Sequence, residues 1–307
     1  MGLAGTGLHR TAHAGKTRGM NVLSPERTAA AAQEETPWLV FPGKPEPGAT
    51  PETVRLRLFC FHHAGAAASM FHSWPDQLPA GVEVIAIQLP GREYRFSEPL
   101  ATNVRQLEKP IADALEPHLD RPYVFFGHSM GILVGFNVAR TLRERGRRQP
   151  SMIIASGRSS PQFMWTDKGM ETLPDEDFVT AVRDYNGTPE ELLREEALRE
   201  LWLPRLRADL TISATYEYVD KPPFTCPILV LHGDDDRLVS NEGLAGWQVH
   251  SSEPVHYVRF PGNHFFLLKS EQEVLAELHI ILKNHLIHLE KNNDNGKGFL
   301  GDPLERT

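Results

Sequence analysis

Residues 123–136 read YVFFGHSMGILVGF, and this segment restricts the fold more than any other. An apolar run ends at Gly127, the next residues complete Gly-x-Ser-x-Gly, and an apolar helical pattern follows at once through Ile132, Leu133, Phe136, Ala139 and Leu142. A serine between two glycines is common by chance. Strand, motif and helix in that order are much more specific, because they describe a strand-to-helix turn too sharp for side chains two positions before and after the serine. Such a turn holds the hydroxyl above a sheet at a helix N-terminus, where free N–H groups favour developing negative charge. Ser129 is therefore the candidate nucleophile.

The remaining apolar runs supply the sheet. VRLRLFCF (54–61), VEVIAIQ (82–88), MIIAS (152–156), PILVLH (227–232) and VHYVRF (255–260) are short and end in Gly, Pro or polar residues. Continuous apolar runs point to strands covered on both faces, as in a parallel sheet. A helical stretch over 103–119 takes Asn103 as its N-cap, and Pro110 either kinks it or starts a second helix. Alternating strands and helices give a doubly wound α/β sheet. Residues 161–223 break the alternation and read as several helices without a strand. A helical insertion there predicts a lid over the C-terminal edge of the sheet, where open α/β sheets bind ligands.

Length then sets the domain count. At about 150 residues per domain, 307 residues suggest two. Residues 1–36, rich in Gly, Ala, Thr and His with scattered arginines, read as a disordered extension, and 291–307 as a flexible polar tail. The extension is alternatively a transit peptide, or the product of a start placed ahead of Met20. The remaining 37–290 form one α/β domain with a lid. Cys60 and Cys226 sit in apolar runs and read as reduced core thiols, not as a disulfide framework. With no signal-like apolar region and no run of about 18 apolar residues, a cytoplasmic, non-membrane setting is expected. A net charge of −8 argues against a chain-wide nucleic-acid surface.

A serine hydroxyl needs a base, and the base needs a group that orients it. In this kind of fold the order is Ser, then Asp or Glu, then His. His264, on the loop Pro261-Gly262-Asn263-His264 after a strand, best meets the demand for the base. His232, His250 and His256 lie nearer strands or helices and read as packing or surface residues. Asp234, Asp235 and Asp236 follow a strand, and only one of them need orient the base. Two backbone N–H groups must receive the oxyanion: one from Met130, the other from the loop 62–68, HHAGAAA. The His62-His63 pair and the aspartate triplet lack spaced partner ligands, so no metal is expected, and no cofactor.

These motifs together resemble the type II thioesterases, the discrete editing enzymes of nonribosomal peptide and polyketide synthases, which have the α/β-hydrolase fold. The resemblance spans roughly residues 38–288. LFCFHHAGAAASMFHSW looks like the early strand and oxyanion loop, LPGREYRFSEP like the Pro-Gly-Arg segment, and GHSMG like the nucleophile motif. LPRLRADL resembles the Leu-Arg-Ala-Asp element of the lid, and LHGDDDRLVS and PGNHFFL resemble the acid and base motifs. The resemblance implies Ser129 as nucleophile, His264 as base, Asp236 as the orienting acid, and the N–H groups of Ala64 and Met130 as oxyanion donors. His62 stands where the family usually has Pro, and Ala66 where it has a second Gly.

The implied activity is hydrolysis of acyl groups from the phosphopantetheine arm of an acyl or peptidyl carrier protein, by a monomeric enzyme. A carboxylesterase or lipase and an acyltransferase or cyclase are alternatives on the same fold. A non-catalytic hydrolase-like receptor or scaffold is the alternative from another class.

Overall fold

The structure is a computed structural model that describes residues 36–43, 53–185, 187–188 and 190–294, with side chains as far as 291. The extension expected over 1–36 lies outside the described residues except for Thr36. All six expected strands are present within two residues of the expected limits: β2 (Leu56–Phe61), β3 (Val82–Ile87), β4 (Tyr123–His128), β5 (Met152–Ser156), β6 (Ile228–Gly233) and β7 (Val255–Phe260). A two-residue β1 (Leu39–Val40) precedes them. The sheet order is β1-β3-β2-β4-β5-β6-β7, with β1 antiparallel to β3 and the other pairs parallel.

The central strands are apolar throughout because both faces are covered. Phe59 and Phe61 of β2 join Phe125 of β4 in the core on one face, while Leu58, Cys60 and Phe126 point into the other. That is the two-residue alternation of a strand, here with apolar residues on both sides. The first face is covered by α1 (Arg105–Leu115) and α2 (Met130–Glu144). Asn103 Oδ1 accepts the Gln106 N–H at 3.1 Å just before α1, and α1 runs through Pro110 as one helix.

Between β5 and β6 the insertion carries α3 (Asp175–Tyr185), α4 (Glu190–Arg194) and α5 (Glu196–Ala214). It has an apolar cluster of its own, centred on Phe178, Val182, Leu203 and Leu206. After β6 come α6 (Asn241–Ala245), α7 (Phe266–Lys269) and α8 (Glu271–Asp294). Leu275, Leu278 and Leu282 of α8 pack into the core on the second face. Helix α8 continues to Asp294, past Lys291 where the polar tail was expected to start, and 295–307 lie outside the described residues. Cys60 and Cys226 are free and buried; burial raises the Cys60 thiol well above its ordinary value and Cys226 to about 12.

Candidate active site

Ser129 occupies the turn between β4 and α2 at φ 54° and ψ −118°, one of two non-glycine residues with positive φ among those described. Its N–H donates to the Ser156 carbonyl of β5 at 2.8 Å, which fixes the turn to the neighbouring strand. The flanking glycines are steric requirements. A Cβ on Gly127 would lie 2.4 Å from the Ile132 nitrogen, and one on Gly131 would lie 2.2 Å from the Phe61 carbonyl oxygen. The crossing of α2 over β2 is therefore too close for any side chain at Gly131. Met130, immediately after Ser129, opens α2, and the first N–H groups of a helix have no intrahelical acceptor.

The loops after β6 and β7 bring an acid and a histidine to this turn. They interlock backbone to backbone: Asp235 N–H donates to the Gly262 carbonyl at 2.9 Å, and a Cβ on Gly233 would lie 2.4 Å from the same oxygen. Of the three aspartates, Asp234 pairs with Arg259 at 2.7 Å and Asp235 is exposed. Only Asp236 is buried; its Oδ1 accepts the Leu238 N–H and its Oδ2 the His264 Nδ1–H, both at 2.9 Å. With its proton on Nδ1, His264 presents the Nε2 lone pair to the Ser129 hydroxyl at 2.8 Å. This chain of bonds allows the Ser129 proton to pass to His264, with a carboxylate to hold the resulting imidazolium. The three histidines weighed beside it in the sequence lie elsewhere: His250 packs on Phe136, while His232 and His256 lie within β6 and β7.

Two histidines that the sequence left without a role lie beside this group, and one of them bonds to His264. The buried His128 donates Nε2–H to the His264 carbonyl at 2.9 Å, and its Nδ1 accepts the Ser156 hydroxyl at 2.8 Å. Burial pushes His128 well below the usual histidine range, so it stays neutral. His63 lies edge-on to His128 and Phe265, and burial pushes it to about 4. Neither neighbour therefore adds positive charge against an imidazolium at His264.

The loop 62–68 closes the other side. Gly65 adopts φ +79°, which favours glycine; Ala66 does not adopt positive φ, so alanine there costs no backbone strain. His62, at the usual proline position, is buried, and its Nδ1–H donates to the His63 carbonyl at 2.8 Å. Ala64, Ser129 and His264 share a cavity of about 220 Å³. Its walls are mostly apolar and come from the insertion and from α7, including Trp165, Leu192, Trp202 and Leu268. Tyr185 also lines it and hydrogen-bonds to Asp167. Among the described residues no group of three His, Cys, Asp or Glu is arranged to hold a metal ion.

Residues 56–282 match the family described as thioesterase domain. The chain belongs to this thioesterase family. It is 39% identical over 222 residues to the gramicidin S biosynthesis protein GrsT of Aneurinibacillus migulanus, covering 72% of this chain and 87% of that one. Among solved structures it resembles the type II thioesterase BorB from the borrelidin biosynthetic cluster, with TM-score 0.71 and 30% identity over 81% of this chain and 97% of that one. It also resembles YbtT, a type II thioesterase from the yersiniabactin NRPS/PKS pathway, with TM-score 0.69 and 27% identity over 82% and 98% of the two chains. The expected α/β-hydrolase fold and the resemblance to type II thioesterases are both borne out, and the protein is a hydrolase acting on thioesters. Among the described residues no helix is long and apolar enough to cross a membrane.

Proposed function

We propose that this thioesterase clears acyl groups from the phosphopantetheine arm of carrier proteins, through an acyl-enzyme on Ser129. The observation that carries the reading is the unbroken chain Asp236–His264–Ser129 at the wall of an apolar cavity. Ser129 Oγ attacks the thioester carbonyl while its proton moves to His264 Nε2. The carbonyl oxygen, now negative, is received by the N–H groups of Ala64 and Met130. Collapse breaks the C–S bond, and His264 returns the proton to the departing sulfur. A water molecule then gives its proton to His264 and attacks the acyl-enzyme, which releases the carboxylic acid and restores Ser129. Asp236 keeps the proton on Nδ1 and stabilises the imidazolium.

Residues 37–290 act as one catalytic domain, with 161–223 as a lid that bounds the acyl cavity. At about 220 Å³ that cavity is smaller than the roughly 300–1,000 Å³ of sites for drug-sized ligands, which favours short apolar acyl groups. The relatives named for gramicidin S and borrelidin biosynthesis support a place beside a peptide or polyketide synthase.

The test is hydrolysis of acyl-loaded carrier proteins by the parent and by Ser129→Ala. The reading expects release of free acid by the parent, and a loss of several powers of ten in the variant. A clear preference for simple oxygen esters would make the protein a carboxylesterase, and a cyclised or transferred product would make it an acyltransferase. Failure of a fluorophosphonate probe to label Ser129 in folded protein would favour a non-catalytic scaffold.

A further inference from the structure

Two sequence motifs are left unused by the chemistry above, and they meet in the interior. Arg92, in Pro-Gly-Arg after β3, donates Nη1–H and Nη2–H to the two carboxylate oxygens of Asp209, each at 2.7 Å. Asp209 lies on α5 in the insertion, 117 residues away. The side chains are 5% and 1% exposed. Burying two charges costs solvation that offsets much of their attraction, so stability alone is a weak reason for such a pair.

The remaining bonds of the pair reach the oxyanion loop. Asp209 Oδ2 also accepts the Gly65 N–H at 2.8 Å, and Arg92 Nη1 also donates to the Ala66 carbonyl at 2.9 Å. The pair thus grips the two residues that follow Ala64, one by its N–H and the other by its C=O. Gln88 secures the far end: its Oε1 accepts the Ala68 N–H at 2.8 Å, and its Nε2 donates to the Arg92 carbonyl at 3.1 Å. On the cavity side, a Cβ on Gly65 would lie 3.2 Å from Leu206 and 3.3 Å from Trp202, both on α5. The loop therefore rests against α5 and is bonded to it through Asp209.

We propose that the Arg92–Asp209 pair is a positioning element: it sets the height of the Ala64 N–H at the oxyanion and ties that height to the seating of the helical insertion. The proposal rests on the serine mechanism above. Neither residue touches the substrate; each acts through the loop backbone. Asp209→Asn keeps one acceptor for Gly65 or Arg92 but cannot hold both with a charge. Loss of an oxyanion donor typically costs about 10²–10³ in kcat, so a displaced donor is expected to lower kcat by about 10–100-fold. KM is expected to change less than kcat, because no side chain that lines the apolar cavity is replaced.

The experiment pairs Asp209→Asn with the double variant Arg92→Met/Asp209→Leu, which leaves no orphan charge to unfold the protein. Each variant is checked by urea denaturation, then assayed for thioester hydrolysis and for inhibition by an acyl trifluoromethyl ketone and the matching methyl ketone. The trifluoromethyl ketone bonds to Ser129 Oγ, passes the serine proton to His264 and places a full oxyanion in the site. The methyl ketone samples the same cavity with little adduct formation. The proposal expects kcat to fall in both folded variants, and trifluoromethyl ketone affinity to fall in parallel while methyl ketone affinity is held. Parent-level kcat in a folded double variant would overturn it, as would equal losses for both ketones. If the parent binds the trifluoromethyl ketone covalently yet hydrolyses no carrier thioester, the substrate assignment fails and the ketone comparison still decides the role of the pair.

Discussion

Replacing Asp236 with asparagine changes one atom and forces the site to choose between two hydrogen bonds. The carboxylate accepts from both Leu238 N–H and His264 Nδ1–H at 2.9 Å. Asparagine has one acceptor and one donor group. If its oxygen faces His264, its NH2 confronts the Leu238 N–H in a buried site, and an unsatisfied buried donor costs about 1–3 kcal/mol. If its oxygen faces Leu238, the NH2 meets Nδ1, and the imidazole must carry its proton on Nε2. The Nε2–H then points at Ser129 Oγ and cannot take its proton. The second arrangement satisfies every group, so the inactive tautomer prevails. The negative charge that stabilised the imidazolium is lost as well. In Ser-His-Asp enzymes the combined loss is about 10⁴ in kcat, or about 5 kcal/mol at about 1.4 kcal/mol per tenfold. The assay is thioester turnover by the purified variant, with urea unfolding to show that stability has moved by no more than about 1–3 kcal/mol. A folded Asp236→Asn protein that retains kcat within about tenfold of the parent would refute the role of Asp236.

Other expectations follow from the same geometry. Gly131→Ala would place a Cβ 2.2 Å from the Phe61 carbonyl oxygen and 2.6 Å from that of His62. Both obstacles are backbone, so urea unfolding should show a loss of about 3 kcal/mol or more, as for severe overpacking; an unchanged midpoint would contradict the close crossing. Trp165→Ala enlarges the cavity wall, so turnover of a graded acyl series should shift toward longer chains, while an unchanged optimum would remove Trp165 as a limit on acyl length. Burial holds His250 to about 4 and His285 to about 3. Their unfolded values lie near 6.5, so below that pH the unfolded chain binds more protons and stability falls as pH falls. The slope is on the order of 1 kcal/mol per pH unit for each histidine between about pH 6.5 and 5. His285→Gln should flatten the measured dependence, and an unaltered slope would mean that His285 is not neutral in the fold.

The sheet was legible because its strands are continuous apolar runs and the insertion lacks one. Strand β1 was not, since two residues carry no periodicity; Trp38 and Leu39 are held instead by contacts that sequence does not display, including Arg95 stacked 4.0 Å above the Trp38 ring. Ser129 and His264 could be read from motif and chain order. The choice of Asp236 among three adjacent aspartates needed the family resemblance. Its physical basis, burial of Asp236 while Asp234 turns to Arg259, emerges only in three dimensions. His128 occupies an x position of the Gly-x-Ser-x-Gly pattern, so its bond to the His264 carbonyl 136 residues away left no local trace. The Arg92 and Asp209 motifs were visible as a pattern, but their meeting depends on how α5 folds back over the loop after β2.

In the proposed reaction Ser129 carries the acyl group between carrier and water. Rapid mixing of the protein with acyl-loaded carrier, acid quench and mass analysis of the peptide containing Ser129 tests it most directly. A transient mass increase equal to the acyl group is expected on that peptide, absent in Ser129→Ala, and decaying as free acid appears. Free acid released without any acylated Ser129, at a rate that Ser129→Ala matches, would contradict it.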